Sequence, residues 1–169
     1  MSEVVLTRRI AASREAVWAA LGDVGGVHRF HPHVECSPLN DGSAEGGLGA
    51  SRTCHFYDGN HVVEEVTRWV PLEAIDVAIV AGSMPLAKAK AGFRLTPEEG
   101  PAQEARTRVD LRMSYTPKLG PLGALLDALV LRRKFRSILT EVLEGLDVHV
   151  RTGQVVGEGG VLSPASAWA

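Results

Sequence analysis

Histidine is the residue type most concentrated in one part of this chain. Five of the six histidines lie between positions 28 and 61, and three of them fall in the ten-residue stretch VHRFHPHVEC, Val27–Cys36. The imidazole side chain binds metal ions and carries protons near neutral pH. The stretch therefore suggests either a metal centre, completed by Cys36, Cys54 or a carboxylate, or a general acid or base.

Local chain geometry argues against the metal centre, whose ligands must converge. Pro32 ends any helix in the stretch, so His33 leaves the face that His28 and His31 share. We therefore predict no metal ion. His31, directly before Pro32, is the histidine with a reason to reach an interior cavity, where it would donate to a carbonyl oxygen or shuttle a proton. The alternative is a purely structural histidine.

A carboxylate lies among valines in the segment NHVVEEV. Glu64 shares a strand face with Val62 and Val66, and burying its charge is costly unless the charge is paired. Arg52 is the natural partner on the neighbouring strand, because a guanidinium can bind a carboxylate through two hydrogen bonds. The pattern predicts an Arg52–Glu64 ion pair on the inner face of a sheet.

The purpose of this pair stays open at the level of sequence. It would anchor a ligand hydroxyl or carbonyl, or it would be only a structural ion pair. In an enzyme, Glu64 and His31 would be the catalytic residues. A bulge in the strand would exchange Glu64 with Glu65.

Bulk composition bounds the class of protein. The chain has 169 residues, 45% hydrophobic and 22% charged, and a formal net charge of −2, which predicts one globular domain, placed at 1–150, and a flexible tail at 151–169. The small negative net charge argues against binding to nucleic acid.

The N-terminal segment lacks the pattern of a signal peptide, so we predict a cytoplasmic protein with reduced cysteines. Walker-type and dinucleotide fingerprints are missing, and we predict no cofactor.

Hydrophobic periodicity predicts the order of the secondary-structure elements. A strand at 4–10 is followed by two short helices, about six strands, and a long amphipathic helix from about Pro121 to about Val150. Gly145 interrupts this helix and is predicted to be a weak point in it. The order predicts an α+β fold, in which the long helix covers the buried face of an antiparallel sheet of about seven strands.

Small side chains on the predicted inner face leave room for a ligand. Ala87, Ala89 and Ala91 alternate inward, where larger residues would fill the space; the alternative is close packing under the helix. The residues predicted to line a ligand pocket are Arg52, Cys54, Phe56, Val62, Glu64, Ala89, Ala91, Met113, Tyr115 and Leu129.

The run RRKFR, Arg132–Arg136, places four cations on the predicted long helix. It would meet an anionic membrane surface or an acidic partner. The favoured interpretation is a solvated helix face with extended side chains.

Several short motifs occur in an order typical of one superfamily: EAVWAALGD, FHPHV, GLGASR, DGNHVVEEV and GSMPLAKAKAGFRL. Through them, residues 3–150 resemble the SRPBCC superfamily of the major pollen allergen, the START lipid-transfer domains and the polyketide cyclase/dehydrases. The resemblance implies a helix-grip fold, a curved sheet wrapped around a long C-terminal helix, with a cavity for an apolar molecule. It specifies no reaction.

Abscisic-acid receptors of this superfamily have a strand glutamate facing the cavity in a similar pattern, which matches Glu64. Their lysine anchor has no counterpart near His31. The segment HFYDGNH replaces their gate loop, so the resemblance implies no lid of that kind.

The predictions together favour a protein that binds a small apolar or aromatic molecule, such as a polyketide, lipid or quinone. The first alternative is a polyketide cyclase/dehydrase-type enzyme that uses Glu64 and His31, with Arg52 stabilising enolate charge. The second is a lipid or quinone chaperone at a membrane. We expect a small hydrophobic ligand as partner, no nucleic acid, and a monomer or homodimer.

Overall fold

The structure is a computed structural model that describes residues 1–101, 104–118 and 130–164. Its elements, in chain order, are strand β1 (Ser2–Ile10), helix α1 (Arg14–Gly22), a 3₁₀ helix (Val24–Arg29), and strands β2 (Val34–Cys36), β3 (Ser51–Phe56), β4 (His61–Val70), β5 (Ala74–Gly82), β6 (Leu86–Glu99) and β7 (Ala105–Pro117). Helix α2 (Arg132–Thr152) follows, and then the short strands β8 (Val155–Val156) and β9 (Leu162–Ser163), separated by a 3₁₀ turn (Glu158–Gly160).

The main sheet has seven antiparallel strands in the order β1-β7-β6-β5-β4-β3-β2. Alternation along β7 buries Val109, Leu111, Met113 and Tyr115 on one face, because successive side chains of a strand point to opposite sides. Helix α2 packs on that face. The predicted α+β helix-grip fold is confirmed.

The apolar stripe of α2 faces the sheet. Its buried members include Phe135, Leu139, Val142, Leu143 and Leu146. The helix ends at Thr152, where Gly153 adopts a left-handed φ of 71° and its N–H bonds to the oxygen of His149. The predicted start at Pro121 lies outside the described residues. Within the described residues, no helix is long and apolar enough to cross a membrane.

A buried carboxylate fastens α2 to β1. Asp147, 6% exposed, accepts hydrogen bonds from Nε of Arg8 at 2.9 Å and from Nε of Arg151 at 2.6 Å. Two guanidinium groups thus compensate one desolvated charge, as a buried carboxylate requires. The sequence patterns did not predict this contact, because the three residues come from distant parts of the chain or from the polar side of a helix.

Gly145 is a point of close approach between α2 and the loop after the 3₁₀ helix. A β-carbon at position 145 would collide with the carbonyl oxygen of Phe30. Gly145 is itself buried. The helix runs through Gly145 without a break, and the missing side chain is what lets it reach the loop. That the position is a weak point of the helix stays a prediction.

The first part of the predicted tail packs on the domain. Val155 and Val156 are 3% and 4% exposed and pair with Ser163 and Leu162. The flexibility of residues 151–169 stays a prediction, and residues 165–169 lie outside the described part of the chain.

Candidate functional site

An ion pair lies on the inner face of the sheet. Arg52 of β3 is the register partner of Glu64 of β4, so the two side chains leave the same face side by side. Nε and Nη2 of Arg52 both donate to Oε2 of Glu64, at 2.8 and 2.6 Å. The predicted pairing is therefore present. The bulge between Val63 and Glu64 lies on the β5 side of the strand and leaves Glu64 facing inward.

The guanidinium of Arg52 is held from a second side. Its Nη1 donates to the backbone oxygen of Val24, at the start of the 3₁₀ helix, at 2.8 Å. Arg52 is only 8% exposed. Burial works against its charge, but the carboxylate of Glu64 outweighs burial and raises the pKa of Arg52 above its usual value. The residue therefore stays charged and fixed in position. Sequence reasoning missed Val24, because a backbone carbonyl carries no residue-type signal.

Cys54 is the third polar group in this cluster. Its Sγ donates to Oε2 of Glu64 at 3.6 Å. Burial, and then the nearby carboxylate, raise the pKa of the Cys54 thiol well above its usual value. The thiol stays protonated, so it is a weak hydrogen-bond donor here and not a nucleophile.

The other carboxylate oxygen of Glu64 is differently placed. All three donors reach Oε2, and no donor among the described residues bonds to Oε1. The side chain of Glu64 is 14% exposed. Oε1 is thus an acceptor on a fixed, charged group that a bound molecule could use.

His31 lies beside this cluster. Its Nδ1 accepts the backbone N–H of His33 at 3.3 Å, and its ring meets the ring of Phe56 edge-on, with centroids 6.1 Å apart. Because Nδ1 is an acceptor, the ring proton lies on Nε2, which can donate. Burial, with the nearby charges of His33 and Arg52, lowers the pKa of His31 to about 3. The ring is therefore neutral at physiological pH.

The low pKa of His31 predicts acid sensitivity. The unfolded ring takes a proton below about pH 6.5 and the folded ring does not, so the stability that depends on a neutral His31 is present above pH 6.5 and lost as pH falls towards 3. We expect about 2 kcal/mol of this loss between pH 6.5 and pH 5. His31→Asn keeps an acceptor for the N–H of His33 but has no imidazole to protonate. The free energy of unfolding of this variant, measured with urea across this pH range, should not show the loss.

His55→Gln is the matched control, because His55 is exposed on β3. The free energy of unfolding of this variant should depend on pH as it does in the unchanged protein. An identical pH dependence in His31→Asn would contradict the assignment of a neutral imidazole at position 31.

The remaining histidines of the region have separate partners. Nδ1 of His28 lies 2.8 Å from Oγ of Ser37, and Nε2 of His33 lies 2.8 Å from Oε2 of Glu141 on α2. The rings of His55 and His61 lie on the outer side of the sheet, 6.3 Å apart. Within the described residues, no group of three or more His, Cys, Asp or Glu side chains could hold a metal ion.

Apolar side chains share the inner face with the ion pair. Cys54, Val62, Ala89, Met113 and Tyr115 are buried, and Tyr115 packs on Phe135 of α2 with ring centroids 4.6 Å apart. The two other predicted apolar pocket residues, Phe56 and Ala91, are only partly buried. Ala87 is exposed at a register shift, so it supports no inward stripe. Leu129 lies outside the described residues.

Four apolar side chains of the inner face are only partly buried. Phe56, Ile79, Ala91 and Phe93 pack against the core yet keep accessible surface. Two surface depressions lined by described residues lie elsewhere: one of about 210 Å³ beside α1 and α2, and one bordered by His28, Glu35, Cys36 and His55. The predicted site is thus an apolar face with one charged pair.

The family described as polyketide cyclase / dehydrase and lipid transport matches residues 1–151. The chain belongs to this family. A search of curated proteins gave no match. The family's description covers both an enzymatic and a transport role, so membership alone does not choose between catalysis and binding.

Solved structures share the fold at low sequence identity. A protein from Thermus thermophilus is 22% identical, with a TM-score of 0.71, over 90% of this chain and 99% of its own. XoxI from Bacillus cereus is 18% identical, with a TM-score of 0.70, over 90% and 97%. The major latex-like protein 151 of Panax ginseng is 13% identical, with a TM-score of 0.69, over 88% and 96%. At these identities the likeness shows the fold alone.

Proposed function

We propose that the protein binds a small apolar or aromatic molecule that carries one hydroxyl or similar donor group. The observation that carries the proposal is the open Oε1 of Glu64 on an otherwise apolar face. Apolar surface supplies most of the free energy for such a ligand, and a few placed polar groups fix its orientation. Membership in the polyketide cyclase / dehydrase and lipid transport family supports this proposal.

The polar groups of the site accept and donate from fixed positions. Arg52 holds the carboxylate of Glu64 through two hydrogen bonds, so Oε1 needs no reorganisation to accept a proton donor. Nε2 of His31 supplies a neutral donor for a carbonyl or hydroxyl oxygen. A ligand that carries both a donor and an acceptor can use these two groups. An anionic ligand fits poorly, since its charge would face a carboxylate.

Acid–base catalysis by Glu64 and His31 is the alternative, and two observations weigh against it. With a pKa of about 3, His31 holds no extra proton to give at physiological pH. Glu64 receives two hydrogen bonds from the Arg52 guanidinium on Oε2, so a proton transfer at that oxygen would have to disrupt the ion pair. The absence of a cofactor, the oligomeric state and the cytoplasmic location stay predictions.

Three naphthalene probes test the proposal by fluorescence titration. We expect 2-naphthol to bind at least about tenfold more tightly than naphthalene, since a hydrogen bond to a charged acceptor is worth about 1.5 kcal/mol or more. 2-Naphthoate should bind more weakly than 2-naphthol. Glu64→Gln should reduce the preference for 2-naphthol, and the double variant Arg52→Met/Glu64→Leu should abolish it while still binding naphthalene.

Glu65→Gln is the matched control, because Glu65 is the neighbouring residue on the exposed face of β4. It should keep the full preference. Failure of all three probes to bind, or a preference that survives in the double variant, would rule out the proposed site.

A further inference from the structure

Cations gather at one end of the molecule. Nη2 of Arg132 donates to the backbone oxygen of Glu3 at 3.3 Å, so the described start of α2 lies beside the start of β1. The start of β1 pairs with the end of β7, whose Pro117 pairs with the start of β6. We call this end of the sheet the basic end, for the exposed cations that it carries: Lys88, Lys118, Arg132, Arg133, Lys134 and Arg136.

These cations are not neutralised by neighbouring carboxylates. Among the residues that the structure describes, none of the six has a carboxylate within ion-pairing distance. At the same end, Glu3 is paired with Arg112 at 3.4 Å, and the carboxylate of Asp58 interacts electrostatically with Lys134 without an ion-pair contact. The basic end is therefore positive although the whole chain has a net charge of −2, and it favours an anionic surface.

Exposed apolar side chains lie among the cations. Met1 precedes β1, Val80 lies near the end of β5, and Val130 precedes α2; they are 89%, 56% and 51% exposed. Cations mixed with apolar groups suit a membrane interface, where headgroups take the charges and the acyl boundary takes the apolar groups. A nucleic acid or an acidic protein would satisfy only the charges.

Among the described residues, two side chains of the inner face that lie near the basic end are only partly buried. Phe56 ends β3 and Leu86 begins β6, and both keep accessible surface although they pack against the core. At the opposite end, Ile10, Thr107 and Val109 are 0% exposed. A flat surface lying against the basic end would therefore lie near Phe56 and Leu86, at the edge of the inner face.

We infer that the basic end docks on an anionic phospholipid membrane, with the edge of the inner face at Phe56 and Leu86 turned towards the bilayer. The docking rests on charge and apolar exposure at the surface and does not require the ligand proposed above. Loss of naphthol binding and loss of membrane binding are thus separate results.

Vesicle cosedimentation tests the inference. The full chain should bind vesicles of phosphatidylcholine and phosphatidylserine at 7:3, bind pure phosphatidylcholine weakly, and lose most of the difference at high salt, where surface charges are screened. Arg133→Glu should weaken binding to the mixed vesicles at least about tenfold, since it removes one cation from the anionic surface and puts a repelled carboxylate in its place. Val130→Ser should weaken it about threefold through lost apolar contact.

Arg68→Glu is the matched control. Arg68 is an exposed cation on β4, towards the other end of the sheet, so the same change in net charge should leave vesicle binding within about twofold. Equal loss in Arg68→Glu and Arg133→Glu would overturn the inference. The inference would also be overturned if the protein bound soluble poly-glutamate as tightly as vesicles and Val130→Ser did not weaken that binding. This result would indicate an acidic protein partner instead.

Discussion

Replacing Glu64 with leucine is expected to lower the free energy of unfolding by about 3 to 5 kcal/mol. The substitution leaves the guanidinium of Arg52 charged at 8% exposure, with only the oxygen of Val24 as a strong acceptor. A buried charge without its partner costs much more than the intact pair contributes. Urea unfolding, with midpoint and slope both measured, gives the free energy.

The double variant Arg52→Met/Glu64→Leu separates this cost from loss of packing. With both charges removed, we expect at least half of the lost stability to return, because a buried ion pair can be replaced by apolar groups of similar volume at little cost. Glu65→Leu, on the exposed face of the same strand, should change stability by less than about 0.5 kcal/mol. A double variant as unstable as Glu64→Leu would show that the pair does not act through buried charge.

Gly145→Ala is expected to destabilise the protein by about 3 kcal/mol or more, at the upper end of what overpacking costs. Helix propensity alone predicts the opposite, a gain of up to about 1 kcal/mol for alanine over glycine in a helix interior. The collision of the new β-carbon with the carbonyl oxygen of Phe30 decides the sign, because a backbone atom cannot turn aside as a side chain can. Thermal and urea unfolding would measure the loss.

Gly157→Ala is the control for this substitution. At Gly157 a β-carbon would meet its nearest neighbour at 3.5 Å, and φ is −85°, so alanine fits without strain. We expect a change of less than about 1 kcal/mol. A stabilised Gly145→Ala would mean that α2 and the loop after the 3₁₀ helix do not approach each other as the structure shows.

Much of the site could be predicted because strand alternation is a local rule. Once β3 and β4 are antiparallel neighbours, Arg52 and Glu64 must leave the same face, and the cost of burying either charge alone requires that they pair. The purpose of the pair could not be predicted in the same way. It depends on which carboxylate oxygen remains open and on how much water reaches it.

Histidine shows the limit of composition as evidence. The density of histidines suggested a metal centre, and the proline and strand pattern argued against one by predicting that His33 leaves the face of His31. The structure nevertheless places the rings of His31 and His33 5.9 Å apart. The protonation state of His31 was beyond that reasoning, because it depends on burial and on the distance to Arg52 and His33. The sequence allowed His31 to be a proton shuttle, but in the folded protein its ring is neutral.

The sequence by itself determined the order of elements, the inner and outer faces of the strands and the apolar stripe of the long helix, because each follows from a repeat of two or 3.6 residues. Tertiary structure alone decided where elements meet. The contact of Gly145 with Phe30, the oxygen of Val24 on Arg52 and the bridge of Asp147 between Arg8 and Arg151 join segments far apart in the chain. Periodicity within a segment carries no information about which distant backbone atom will lie against it.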